Sequence, residues 1–456
     1  MKLVYGVKDK PSFGKTLVFA LQQLLAILAA TIAVPTIIGN GMSQSAALFG
    51  AGVGTIVYLL FTKFRSPVFL GSSFAFLGSM AAAFAGGVSA SAGYLGMIIG
   101  AVMAGLVYVV IALIVKFAGV KWISKLMPAV VIGPTVAIIG LSLSGNAIGD
   151  AVGVAKDGGA FVMNAHAGVC LICALVTLAV TMLCSVFGKK MMKMIPFIIG
   201  IVSGYIVASI FTIIGNNTGI DALKIIDYSA FSNLRWVPSF TFETAFSGGY
   251  DFGDAGSIAS YIGTIAAAYV PVAFVVFAEH IADHKNISTI IEHDLLEDPG
   301  LHRTLLGDGV GSMVGAFFGG CPNTTYGESI GCVAISGNAS VVTILATAIL
   351  AIIASFFAPF VAFLASIPSC VMGGVCISLY GFIAVSGLKM IQDVDLGENR
   401  NLFIVSVILI AGVGGLVLKF GSVTITEVAC ALILGILTNL ILPEKKKADK
   451  DAKEAK

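Results

Sequence analysis

Three acidic residues, Glu279, Asp283 and Glu328, sit in stretches that are otherwise apolar. A carboxylate at the centre of a membrane helix costs at least ~2.5–3.5 kcal/mol on insertion scales, so such a residue marks a proton, ion or substrate path. Glu279 and Asp283 belong to "FAEHIADH" and are four residues apart, which puts them on one face of a helix. Asp283 is nearer the span end, where solvation alone could hold it. Glu328 lies in "PNTTYGES" (322–329), a polar island inside an apolar region. His280 and His284 form their own pair, turned about 100° from the acidic one. His, Asp and Glu are metal-ligand chemistry, but no H-E-x-x-H pattern is present. We therefore expect no metal and read both as packing or interfacial histidines. His293 and His302 read as loop residues.

Two carboxyls, several hydroxyls and two broken segments constrain the ligand. A strong anion is repelled unless both glutamates are protonated, and a cation alone does not need helix N-termini. A neutral planar molecule with N–H donors and C=O acceptors suits both features, since carboxylates accept ring N–H bonds and backbone N–H groups donate to ring oxygens. Nucleobases match this description, as do other polar neutral solutes.

The elements that must position these residues are membrane helices. The chain of 456 residues is 58% hydrophobic and 11% charged, against about 25% charged for a soluble domain. The apolar blocks are continuous, which excludes the alternation of a β-barrel. Each crossing needs about 20 apolar residues, and hydropathy divides the chain into about fourteen spans. Two segments, around "VFLGSSFAFLGS" and "CPNTTYGESIGC", are broken and rich in Gly, Ser and Thr. Broken spans are tolerated only where buried in protein or lining a cavity, and a matched pair points to a transporter binding site. A half-helix starting near Phe74 or Tyr326 aims free N–H groups at that cavity.

Loop charges set the orientation. "KFRS", the loop with Lys116, Lys121 and Lys125, "GKKMMK", the loop with Lys285 and Arg303, and the loop with Lys389 and Arg400 all follow even-numbered spans, while "GNGMSQS" and "GGVSASAG" are uncharged. The positive-inside rule then places both termini in the cytoplasm of a multi-pass cell-membrane protein. The N-terminal "MKLVYGVKDKPSFGK" reads as a cytoplasmic lead-in and the charged tail, residues 443–456, as disordered. "PAVVIG" (128–133) recurs as "PSCVMG" (368–373), which supports an internal repeat; seven spans per half make the repeats inverted. The eight cysteines suggest neither a disulfide framework nor a zinc site. The C-x-x-C of Cys170 and Cys173 reads as lipid-facing or packed sulfur.

"FAEHIADH", "DPGLHR" (298–303), "PNTTYGESIG" (322–331) and "GSSFAF" (71–76) resemble the nucleobase–ascorbate transporter family, also called nucleobase:cation symporter type 2, over residues 10–442 and most closely its bacterial uracil-transporting branch. The resemblance implies an all-α polytopic membrane protein with two inverted seven-span repeats and a short strand plus half-helix in spans three and ten. It implies a core domain (1–120 and 258–366) and a gate domain (121–257 and 367–442) through which a homodimer forms. Glu279 and Glu328 would hydrogen-bond the base, with Ser73, Phe74, Tyr326, Gly327 and Asp283 around it. Glu279 and Asp283 would carry the coupled proton in an elevator-type symport; sodium is the alternative ion. No cofactor, enzymatic activity or nucleic-acid partner is implied. Two positions depart from the pattern. Asp283 stands where the uracil branch usually has histidine and the purine branch has aspartate, yet the purine branch usually has glutamine where this chain has Glu328. Gln22-Gln23 stands where the family commonly has Gln-His. Uracil is therefore the leading substrate, with xanthine, urate or another purine as the alternative.

Two other classes fit the sequence less well. An anion transporter of sulfate-transporter architecture would share the broken helices but lack Glu279. A membrane enzyme would show paired acidic metal motifs or a nucleophile and base in loops, and "EHDLLEDPG" lacks that spacing.

Overall fold

The structure is a computed structural model and describes residues 3–119, 121–157, 159–189, 191–232, 234–420 and 423–442. The charged tail from residue 443 lies outside the described residues.

The first half contains α1 (Phe13–Ile38), α2 (Gln44–Phe61), β1 (Leu70–Ser72), α3 (Leu77–Ala83), α4 (Ala90–Ala118), α5 (Lys121–Leu126), α6 (Ala129–Ser142) and α7 (Ser144–Val152). A small hairpin, β2 (Lys156–Asp157) and β3 (Ala160–Phe161), precedes α8 (Ala165–Phe187), α9 (Met191–Met194), α10 (Pro196–Thr218) and α11 (Thr241–Ala245). The second half runs α12 (Ile258–Ile291), α13 (Leu301–Gly319), β4 (Asn323–Thr325), α14 (Gly327–Ser336), α15 (Val341–Ser355), α16 (Ala358–Ala365), α17 (Ser369–Met390) and α18 (Asn399–Val413). A second hairpin, β5 (Leu418–Phe420) and β6 (Val423–Ile425), leads into α19 (Glu427–Ile441).

Local chemistry explains many boundaries. Ser43, Ser89 and Asn164 cap α2, α4 and α8 by accepting from the backbone N–H groups of Ala46, Ala92 and Ala167, which satisfies donors that a helix start leaves open. α1 ends at Gly39, whose φ of 65° a side chain disfavours. Large apolar side chains on α4, α8, α10 and α18 stay exposed, as lipid-facing residues must.

Among the described residues, eight helices are long and apolar enough to cross a membrane, or nine if the pair α15 and α16, bent by 82°, is one span. The number is below the fourteen spans expected from sequence for a physical reason. The glycine-rich α13, the broken segments at β1 and β4, and the short α18 and α19 are each too polar or too short to qualify by themselves.

The two broken segments meet. β1 and β4 pair antiparallel, with Leu70 opposite Thr325, Gly71 opposite Thr324 and Ser72 opposite Asn323. Ser73 N–H donates to Pro322 O and Tyr326 N–H to Phe69 O, which extends the pairing at both ends. Strands this short survive in an apolar interior only because each satisfies the other's backbone. Thr55 of α2 supplies a further acceptor for Leu70 N–H at 2.9 Å, and Asn323 donates to Gly50 O at 3.1 Å.

Candidate functional site

α12 is a single 34-residue helix, and its apolar sequence carries Glu279 and Asp283 on one face. α14 starts immediately after β4, so Glu328 falls in its first turn. The structure brings Glu279, Asp283, Gly327 and Glu328 to one cavity of about 330 Å³. The opposite wall comes from Val136, Phe197, Phe382 and Ser386, on α6, α10 and α17. The acidic side therefore belongs to the elements around the strand pair, and the facing side, which includes Lys193, Ser185 and Ser386, to a different helix group. Glu279, Asp283 and Glu328 are all partly exposed to this space.

Thr325 donates to Asp283 Oδ2 at 2.6 Å, so the second carboxylate of α12 is tied to the end of β4. Gln23 of α1 donates to Ser329 Oγ at 2.5 Å and to Ser329 O at 3.2 Å. Phe69 N–H donates to the same hydroxyl at 3.2 Å. The residue next to Glu328 is thus held from two sides, and Gln23 acts here as a brace on α14. Gln22 reaches the other way, to the Met191 sulfur at 2.6 Å.

Ser73, Phe74 and Tyr326 lie behind this cavity and are not among its lining residues. Tyr326 is buried; its hydroxyl donates to Ser72 O at 2.9 Å, and its ring covers Gly71 so closely that a Cβ there would overlap it. Phe74 is 8% exposed and meets Tyr380 of α17 edge-on at 5.6 Å. The Ser73 hydroxyl is buried without a partner among the described residues. Phe74 thereby touches both helix groups, while Tyr326 locks the strand pair.

His280 and His284 turn away from the cavity and are fully buried. Nδ1 of His280 lies 2.7 Å from Asp308 Oδ2, and Nε2 lies 3.0 Å from Thr304 Oγ1. Thr304 donates its own proton to Leu301 O, so its oxygen accepts from Nε2–H. Nδ1 and the carboxyl then share one further proton. His284 donates from Nδ1 to His280 O at 2.8 Å and places Nε2 2.7 Å from the Tyr58 hydroxyl. No group of three or more His, Cys, Asp or Glu able to hold a metal occurs among the described residues.

Asp308 is the functional candidate that sequence reasoning passed over. It sits inside α13, fully buried, in the glycine-rich "LLGDGVGS". An acidic residue within a span was itself the available signal. Its bond to His280 pins α12, and with it Glu279 and Asp283, against α13. Asp308→Ala leaves Nδ1 of a buried imidazole without a partner, and an unsatisfied buried polar atom costs about 1–3 kcal/mol. The expected result is a clear drop in the thermal midpoint of the detergent-solubilised protein, with Asp308→Asn recovering part of it. An unchanged midpoint for Asp308→Ala would remove the pinning role.

The segment "DPGLHR" closes the turn between α12 and α13. Asp298 forms an ion pair with Arg65 from the loop before β1, and His293 Nε2 donates to Asp298 O at 2.9 Å. This ties the end of the acidic helix to the first broken segment.

Known proteins resemble this chain in sequence and in fold. The profile of a family described as "Permease family" matches residues 14–419. The uracil permease of Bacillus caldolyticus is 42% identical over 453 residues, covering 98% of this chain and 96% of that protein. The uracil permease of Bacillus subtilis (strain 168) is 38% identical, covering 99% and 98%. Among solved structures, the transmembrane domain of the cyanobacterium bicarbonate transporter BicA superposes with a TM-score of 0.61 at 17% identity, covering 94% of this chain and 100% of that one. SLC26A9 superposes at 0.65 with 13% identity, covering 94% and 64%. These likenesses establish an all-α, polytopic membrane fold. With the acidic helix, the paired broken segments and the relatives in agreement over nearly the whole length, the chain belongs to the permease family of nucleobase–ascorbate transporters.

Proposed function

We propose that the protein is a proton-coupled nucleobase uptake permease whose substrate is uracil. The observation that carries this reading is the meeting of Glu279 and Glu328 at one cavity beside the β1–β4 pair. Relatives named uracil permease at 42% and 38% identity support the same substrate. In this reading Glu279 and Glu328 accept N–H bonds from the base, and the first turn of α14 at Gly327 donates to a ring oxygen. Glu279, coupled to Asp283, carries the proton. Ser73, Phe74 and Tyr326 shape the site from behind, and Phe74 joins the two helix groups.

The reading extends to the architecture. Fourteen crossings result when α13, α18, α19, the bent pair α15 and α16, and the two strand-plus-half-helix segments are each taken as a span beside the eight long helices. The core domain (1–120 and 258–366) carries the base against the gate domain (121–257 and 367–442) in elevator fashion, and the gate domain forms a homodimer contact. Both termini are cytoplasmic, and the basic loops after even-numbered spans support that side.

A second reading, a purine permease, is favoured by one observation: Asp283 four residues after Glu279, hydrogen-bonded to Thr325. Uptake of radiolabelled uracil separates the two, measured in cells lacking their own permease, at acidic and alkaline pH, with excess xanthine. Uptake that rises at acidic pH and ignores xanthine is the expected result. Absence of uracil uptake, or its block by xanthine, moves the chain to the purine branch.

A further inference from the structure

Three cysteines on two helices converge, far from the acidic cavity. Cys170 and Cys173 are one turn apart on α8, and Cys370 is the second residue of α17. All three are buried and unbridged, and the Cys370 thiol faces both thiols of α8. The helices are in backbone contact one turn further along. A Cβ on Gly374 would lie 3.0 Å from Ala174 Cα and 3.0 Å from Thr177 Cβ. The same Cβ would overlap Ala174 O, so only glycine permits this approach, and it draws together the turns of α8 and α17 that carry the three cysteines.

The cluster has a built-in base. His166 sits one turn before Cys170, with Nδ1 3.3 Å from Ala222 O and Nε2 3.5 Å from Cys170 Sγ. A carbonyl only accepts, so Nδ1 carries the proton and Nε2 is the acceptor facing the thiol. Cys170 is therefore the thiol prepared to lose its proton. Its sulfur also packs on the turn that ends α7: a Cβ on Gly153 would sit 2.7 Å from it. His166 is partly exposed, so a small solute reaches this end of α8.

We propose that Cys170, Cys173 and Cys370 form an oxidation site at which hydrogen peroxide joins Cys370 to α8 through one disulfide, stapling α8 to α17. The Cys170 thiol gives its proton to His166 Nε2 and its sulfur attacks one peroxide oxygen. An S–O bond forms, the O–O bond breaks, and the leaving hydroxide takes a proton to become water. The Cys370 sulfur then attacks the sulfenic sulfur; the S–S bond forms, the S–O bond breaks, and a second water leaves. Two thiols supply two electrons and one peroxide accepts them. Cys173, on the same face, exchanges with the bridge by thiolate attack, so either residue of the C-x-x-C can hold the link.

The test uses the purified full-length protein, treated with hydrogen peroxide, quenched with N-ethylmaleimide and digested without reductant. Mass spectrometry is expected to find one α8–α17 linked peptide per chain, and a reductant to abolish it. Cys370→Ser is expected to lose the link, and Cys170→Ser to keep a Cys173–Cys370 link with slower formation. The oxidised wild type is expected to melt at a temperature a few degrees higher than the reduced one. Three fully alkylated thiols in the treated wild type, or sulfinic acid at Cys170 in place of a link, overturn the proposal. A link that leaves Tm unchanged overturns the staple. Because every reading is made on the protein alone, the outcome is independent of which nucleobase is carried.

Discussion

Glu279→Gln abolishes the accumulation of uracil while leaving facilitated exchange in place. The amide keeps an oxygen that accepts an N–H bond from the base but cannot take up and release a proton. Moving one charge through the membrane potential supplies about 2.3 kcal/mol per 100 mV, which corresponds to about fifty-fold accumulation of a neutral base. The variant forfeits that whole factor, so internal and external uracil equalise in energised cells. Counterflow in proteoliposomes, where no proton is needed, stays measurable. The neighbouring Asp283 does not replace Glu279, because its Oδ2 is already engaged by Thr325 at the end of β4. Normal accumulation by a well-folded Glu279→Gln protein would sink the proton-carrier assignment.

Loss of binding itself is the expected effect of Glu328→Ala. Glu328 lies in the first turn of α14, in the second broken segment, and faces the same cavity as Glu279 of the continuous helix α12. Removing its carboxylate strips an acceptor from the base and leaves a ring N–H desolvated without a partner. A hydrogen bond to a charged group contributes about 1.5–3 kcal/mol, so each bond lost raises Kd about tenfold to 150-fold. Two bonds to one carboxylate would put the variant beyond the range of a direct binding assay. The brace on Ser329 from Gln23 and Phe69 is untouched by the change, so the helix start stays in place. Titration calorimetry on wild type and variant, with thermal unfolding to confirm the fold, measures this. A Kd within threefold of wild type would exclude Glu328 from base recognition.

The sequence by itself determined that this is a polytopic helical membrane protein, because hydropathy is a property of composition along the chain and needs no partner. It also located the two broken segments, since clustered Gly, Ser and Thr inside apolar runs are visible locally, and it put Glu279 and Asp283 on one face by helical spacing alone. The tertiary structure decided what those segments do together. The pairing of β1 with β4 depends on residues about 250 positions apart in sequence satisfying each other's backbone. It decided that Tyr326 turns back onto Gly71 and that Phe74 spans the two helix groups. It decided the role of the histidines too, because Asp308 and Tyr58 reach them from helices that no periodicity connects to α12. The C-x-x-C of α8 reads as packed sulfur until Cys370 arrives from α17. Long-range contacts of this kind are set by which helices pack, and in an apolar chain the packing partners are chosen by small-residue contacts and buried polar pairs that single-segment patterns do not encode.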